Sequence, residues 1–244
     1  MTITKHILTA HQPAYLPWLG LFHKIAIADT YVFFDQVQYV PKTWINRNYI
    51  KSENNKLLLT LPVLTKGHLD LKISDIKINN NIPWQRKHFN SIKLSYSKSK
   101  FFKKYIGFFE DIYSKDWNTL SQITSQMLLG FLSLLKIKTK ILFGSDYDFK
   151  GKNNSLIIDM CKKLNANIYI FGELGIQYAD KKLFKENNIN ICFQKYQHPT
   201  YDQLFNSFEA NLSILDLLFN CGENSYDIIF ENNINKKNLL RTFN

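Results

Sequence analysis

The chain has 244 residues, 45% of them hydrophobic and 15% aromatic, with a formal net charge of +11. That hydrophobic share beside only 21% charged residues excludes a disordered chain, and 9 Gly with 6 Pro exclude a collagenous or low-complexity one. Cys161, Cys192 and Cys221 form no CxxC pair, which argues against a disulfide framework and a cysteine-rich zinc site, so a reduced, cytoplasmic protein is expected.

The opening residues hold no apolar stretch before His11, so no secretory leader is expected. HILTA reads as a short apolar strand, HQPAYLP as a loop with two prolines, and WLGLFHKIAIA as an amphipathic helix burying Leu19, Phe22, Ile25 and Ala26. YVFFDQV is a continuous apolar run of the kind buried on both faces of a parallel sheet. Together these form a βαβ unit with HQPAYLP at the carboxyl end of its first strand, the edge where open α/β sheets bind ligands. Residues 56–80, with LLLTLPV and LKISDIKI, read as a β-insertion, and 82–136 as a helical segment. KTKILF, NIYIFG and INICFQKY are then strands separated by the helices SLIIDMCKKLN and YADKKLFKENN, a second crossover series. FNSFEANLSILDLLF closes the chain as a buried helix, and the Asn-rich tail beyond Gly222 is expected to be loose. No linker separates the ends. The expected fold is one α/β domain over 1–244, a mostly parallel Rossmann-like sheet with flanking helices. The longest apolar runs fall short of a membrane span, so no membrane insertion is expected.

The positive charge does not indicate nucleic acid. Of the 31 cations only three are Arg, Asn reaches 25 residues, and no run of five basic residues occurs. Enrichment in Lys, Asn and Ile is what AT-rich coding produces, whereas phosphate-backbone readers gather their charge on one face.

Several residues carry candidate chemistry. His11 and Gln12 stand at a strand end in a proline-stiffened loop, where an imidazole can move a proton near neutral pH or simply shape the loop. His23, on the helix, reads as a surface or packing residue. Arg47 in WINRNYI is a rare arginine in a lysine-rich chain, pointing to bidentate grip on phosphate or carboxylate; the alternative is a structural ion pair with Asp35 or Asp29. Trp84, Arg86 and His88 lie near a helix start and could receive an anion, or anchor the helix. YQHPTYDQ offers His198, Tyr201 and Gln203 after the last strand, where they could join His11 over one sheet edge. FGELG lacks a GxGxxG or P-loop pattern and Glu173 would repel phosphate; no HExxH, HxH or GxSxG is present, so neither a metal site nor a serine-hydrolase elbow is expected.

HQPAYLPWLGLFHKIAIADTYVFFDQVQY, followed by WINRNYI, YQHPTYDQ and LSILDLLFNCG, resembles the WbqC-like family over essentially the whole chain. That family lies in bacterial O-antigen and other surface-polysaccharide gene clusters, and the resemblance implies transfer of an acyl or aminoacyl (glycyl) group to an amino sugar. His11, Gln12, Pro13, Tyr15, Pro17, Trp18, Asp35, Asn46, Arg47, His198, Tyr201, Gln203 and Asp216 fall on motif positions; FGELG departs from the family's smaller turn. On this reading His11 is the general base, Asp35 orients it, and Asn46 or Gln12 meets the oxyanion. Arg47 holds a phosphate, Tyr15, Trp18 and Trp44 pack on sugar or base faces, and His88, His198, Tyr201 and Gln203 complete the substrate site. The implied partners are an amino-sugar nucleotide and a phosphopantetheine thioester on CoA or an acyl-carrier protein, with no bound cofactor. Two alternatives remain: an ATP-dependent carboxylate–amine ligase resembling a nucleotidyltransferase, although HxGH is absent, and a non-catalytic carbohydrate- or partner-binding protein.

Overall fold

The computed structural model describes residues 5–66, 70–205 and 207–243. The first βαβ unit forms as its apolar pattern requires: β1 (Ile7–His11), α1 (Leu19–Ala26) and β2 (Thr30–Phe33), with β1 and β2 parallel and His11 opposite Phe33. The chain then leaves the sheet. β3 (Arg47–Lys51) and β4 (Lys56–Thr60) make an antiparallel hairpin, and α2 (Trp84–Tyr96), α3 (Phe102–Ser114) and α4 (Leu120–Leu134) follow as the expected helical segment. β5 (Lys140–Phe143) returns to pair with β2; α5 (Asn153–Lys163) crosses to β6 (Ile168–Phe171), and α6 (Lys181–Glu186) leads to β7 (Asn190–Phe193). α7 (Ile214–Cys221), α8 (Ser225–Phe230) and α9 (Lys236–Arg241) complete the described helices.

The five sheet strands are all parallel, in the order β5-β2-β1-β6-β7. The chain builds outward from β1 through β2 and β5, then crosses to the other side through β6 and β7. The order therefore reverses between β1 and β6, the position at which open α/β sheets bind ligands beyond the carboxyl ends of their strands. His11 ends β1 at that edge. Alternate residues face opposite layers: Tyr31 and Phe33 join the large core under α1, α2, α3, α4 and α7, while Leu8 and Val32 meet Met160, Cys161 and Phe184 on the other face. Burial on both faces accounts for the continuous apolar runs.

Three boundaries differ from expectation. The β-insertion begins earlier, because Arg47–Lys51 supplies the partner of Lys56–Thr60; LKISDIKI forms only a 3-10 turn at Ile73–Asp75 and isolated bridges. The final buried helix starts at Ile214, where the Ser213 side chain accepts from the Leu215 amide, and residues 207–213 before it run as a loop. The Asn-rich tail is not loose: α9 buries Leu239 against Ile7, Ile27 and Ile168, and Lys236 pairs with Asp29 at 2.6 Å. Among the described residues no helix is long and apolar enough to cross a membrane.

Candidate functional site

The HQPAYLP loop is held from three sides. The Tyr15 amide donates to the Ile45 carbonyl (3.1 Å), Asn48 Nδ2 to the Leu16 carbonyl (2.6 Å) and the Ile214 amide to the Pro17 carbonyl (2.8 Å). Leu16 adopts φ +48°, a left-handed conformation that costs a leucine about 1–3 kcal/mol. Hairpin and α7 contacts thus impose a strained bend beside His11, and its backbone geometry is set before any ligand arrives.

His11 is half-buried, with its ring edge-on to Trp18 at 5.3 Å between centroids. Its Nδ1 lies 2.7 Å from the Gln12 carbonyl oxygen. A carbonyl only accepts, so Nδ1 carries the proton and the Nε2 lone pair is left without a hydrogen bond among the described residues. Burial first, and the Lys24 ammonium second, push the imidazole down to about 3, so it is neutral at physiological pH. His11 is therefore uncharged there, and a weak base until something offsets its burial and the Lys24 charge.

Lys24, a residue that sequence reasoning passed over, is 4% exposed. Its Nζ donates to the Ala10 carbonyl at 3.2 Å, no carboxylate pairs with it among the described residues, and burial pushes it down to about 8. Tyr196 packs over Gly20 one helical turn away; a Cβ placed on Gly20 would lie 3.0 Å from the Tyr196 ring and 3.2 Å from Trp18 Nε1. The Tyr196 hydroxyl is buried with no hydrogen-bond partner. The signal that could have found Lys24 is its place in the helical pattern: with Gly20 it lies on the face turned to β1, where a surface lysine does not belong.

Arg47 opens β3. Its buried Nε has no acceptor, and no carboxylate pairs with its guanidinium among the described residues. The structural alternative fails on geometry. Asp29 takes Lys236 and the Ile7 amide, while Asp35 takes Ser121 Oγ (2.7 Å) and Gln36 Nε2 (3.2 Å). Trp44, 50% exposed, packs its ring at 5.9 Å from Tyr49, which shares the Arg47 face of the strand. An unpaired guanidinium on the strand face of Tyr49, with the exposed Trp44 against that ring, suits a phosphate attached to a ring-bearing ligand.

Other expected site residues have their polar atoms engaged within the protein. Asp35 does not touch His11: its partners are Ser121 and Gln36, and the His11 imidazole is oriented by Gln12 instead. Asn46 donates its Nδ2 to the Leu61 carbonyl at 2.9 Å and leaves only its buried Oδ1 unpartnered, an acceptor that would repel an oxyanion. Tyr15 is fully buried; its hydroxyl bonds His88 Nδ1 at 2.7 Å and the Tyr113 hydroxyl, and burial pushes His88 down to about 4. Trp84 is core, with Nε1 donating to Asn80 Oδ1 at 3.1 Å, and His23 packs against Tyr196 and Phe230. Both His198 ring nitrogens are occupied, Nδ1 by the Pro199 carbonyl and Nε2 by the Asn211 amide.

Tyr201 and Gln203 belong to a buried network around Asp216. Tyr96 donates to Oδ1 (2.9 Å), and Tyr201 (3.0 Å) and Gln203 Nε2 (2.9 Å) to Oδ2. Gln203 Oε1 accepts from Lys51 Nζ at 3.0 Å and from the Glu209 amide at 2.8 Å. Four distant segments are tied here, beneath a groove of about 710 Å³ that Tyr201, Gln203, Lys98 and Lys100 help to line and that neither His11 nor Arg47 reaches. In the FGELG turn, Gly175 is a packing glycine, since a Cβ there would lie 2.5 Å from Phe171 Cβ. Among the described residues no group of three His, Cys, Asp or Glu could hold a metal ion.

The WbqC-like protein family model matches residues 12–228, which spans the bent loop, the hairpin and the Asp216 network. The chain belongs to the WbqC-like family. It is also 31% identical, over 220 residues, to the uncharacterized protein Rv1507c of Mycobacterium tuberculosis, covering 89% of this chain and 95% of that one. No solved structure matches this WbqC-like chain.

Proposed function

We propose that this WbqC-like protein transfers an acyl group, such as a glycyl or other aminoacyl group, from a phosphopantetheine thioester to the amine of a nucleotide-linked amino sugar in surface-polysaccharide biosynthesis. Family membership supports a biosynthetic enzyme. The observation that carries the chemistry is His11: a neutral imidazole at the strand-order reversal, its Nδ1 proton fixed on Gln12 and its Nε2 free. The sugar amine attacks the thioester carbonyl carbon, the nitrogen passes its proton to His11 Nε2, and the C–S bond breaks as the thiolate leaves and takes that proton. An amide and a thiol are the products. Arg47 grips a phosphate of the acceptor, with Trp44 and Trp18 as stacking surfaces and Gln12 beside the base. CoA or an acyl-carrier protein supplies the donor.

The experiment is direct product detection: wild-type protein, a panel of amino-sugar nucleotides and acyl thioesters, and mass spectrometry of the sugar. An N-acylated product formed without ATP supports the reading. A product that requires ATP and a free carboxylic acid replaces it with the ligase alternative, and binding without turnover across the panel leaves a carbohydrate-binding protein.

A further inference from the structure

Acyl transfer at His11 needs a donor for the oxygen that becomes negative as the amine adds, and Asn46 does not supply one. Its Nδ2 is taken by the Leu61 carbonyl, and the orphaned atom is an acceptor. We propose that Lys24 and Tyr196 form the oxyanion site of this protein, receiving the negative oxygen of the tetrahedral intermediate beside the His11 imidazole. The inference rests on the proposed acyl transfer and names the groups that make it work.

Three observations carry it. Lys24 is an internal cation without an internal counter-charge: 4% exposed, one carbonyl contact, and no carboxylate among the described residues. Burying an unpaired ammonium is costly, so a protein that keeps one at a sheet edge supplies a place for an anion. Second, the Tyr196 hydroxyl is a buried donor with no acceptor, and its ring lies over Gly20, the residue one turn before Lys24 on the same face of α1. Helical side chains lean toward the N-terminus of their helix, so the Lys24 chain runs back toward the Gly20 turn, whose missing side chain is what lets Tyr196 and Trp18 close in. Third, the Lys24 ammonium rests on the carbonyl of Ala10, the residue immediately before His11, while Trp18 touches both the His11 ring and the Gly20 corner.

This arrangement couples base to oxyanion. In the empty site burial and the positive Lys24 both hold the imidazole at low basicity. Negative charge developing on the carbonyl oxygen neutralises Lys24 and removes that second influence. His11 therefore becomes a stronger base as the tetrahedral intermediate forms, when the nitrogen proton must leave.

The test uses Lys24→Met, which keeps the volume and removes the charge, Lys24→Arg as the charge-conserving control, and Tyr196→Phe, which deletes a hydroxyl that no protein group needs. Two readouts are combined. Steady-state transfer by wild type and variants is expected to show kcat about 10²–10³-fold lower in Lys24→Met, about 10-fold lower in Tyr196→Phe, and partly restored in Lys24→Arg, with KM for the sugar nucleotide little changed. Independently, acetate and inorganic phosphate are titrated while the His11 ring nitrogens are followed by NMR. Saturable shifts are expected in wild type and their loss in Lys24→Met, the stronger anion showing whether carboxylate or phosphate oxygen fits better. Wild-type kcat in a folded Lys24→Met protein overturns the oxyanion assignment and leaves acyl transfer standing. If wild type transfers no acyl group, the proposed function fails. The NMR arm then decides the rest: Lys24-dependent shifts keep an anion site at this corner, and their absence removes it.

Discussion

Asp216 gives the sharpest stability prediction. It is fully buried, and burial pushes its carboxyl from the ordinary 3.8 up to about 6, against the opposing pull of hydrogen bonds from Tyr96, Tyr201 and Gln203 and of the Lys51 charge. Between those two values the unfolded chain has lost the proton while the native protein retains it. Unfolding then releases a proton, and native stability falls as pH rises, by up to about 1.4 kcal/mol per pH unit and about 3 kcal/mol across the window. That is a large share of the roughly 5–15 kcal/mol that holds a typical domain together. Asp216→Asn removes the titration. It also places an amide where three donors converge, which costs about 1–3 kcal/mol at every pH. The assay is urea unfolding of both proteins at intervals from acid to neutral pH; all other carboxylates are common, so the difference between the curves isolates this residue. The wild-type advantage over Asp216→Asn should be greatest at the acid end and shrink by about 3 kcal/mol toward neutrality. Parallel curves refute the reasoning and mean that Asp216 titrates normally in the folded protein.

Further outcomes follow from single contacts. Tyr15→Phe breaks the Tyr15–His88–Tyr113 chain and should cost about 1–3 kcal/mol in urea unfolding while leaving ligand binding intact, because Tyr15 is core. Gly222→Ala should destabilise by about 1–3 kcal/mol in thermal melts, since Gly222 has φ +60° and a Cβ would lie 2.5 Å from Phe101 Cε1. Burial pushes Cys161 and Cys192 up to about 12 and Cys221 to about 11, so thiol reagents near neutral pH should label them slowly in the native protein and fully in urea. Arg47→Lys should weaken binding of a phosphate-bearing sugar about 10-fold by calorimetry with little change in melting temperature, because no protein carboxylate depends on the guanidinium.

The βαβ core was readable because its strands are buried on both faces and therefore appear as unbroken apolar runs, with His11 at the end of the first. β3 was harder to see: in RNYIK a polar residue, Asn48, is buried to hold the Leu16 carbonyl, so the strand has no simple apolar alternation. The tail helices were hidden by Asn and Lys, and what fixes them is tertiary, the Leu239 contact and the Lys236–Asp29 pair. Rarity drew attention to Arg47, whose buried Nε has no acceptor. It failed for Lys24, one lysine among many, whose environment rather than type makes it unusual. His88, Tyr201 and Gln203 show the converse: polar and aromatic residues in a marked motif, with their hydrogen-bonding groups engaged in binding segments of the fold together.

The central claim is that the free Nε2 of His11 is the base of an acyl transfer, and steady-state kinetics of His11→Ala test it most directly. With the sugar nucleotide and thioester identified by product detection, kcat should fall about 10²–10⁴-fold, the usual worth of a positioned base. The dissociation constant of the sugar nucleotide should stay close to wild type, because the proposed function assigns binding to Arg47 and the tryptophans. A folded His11→Ala protein that turns over at the wild-type rate contradicts the account.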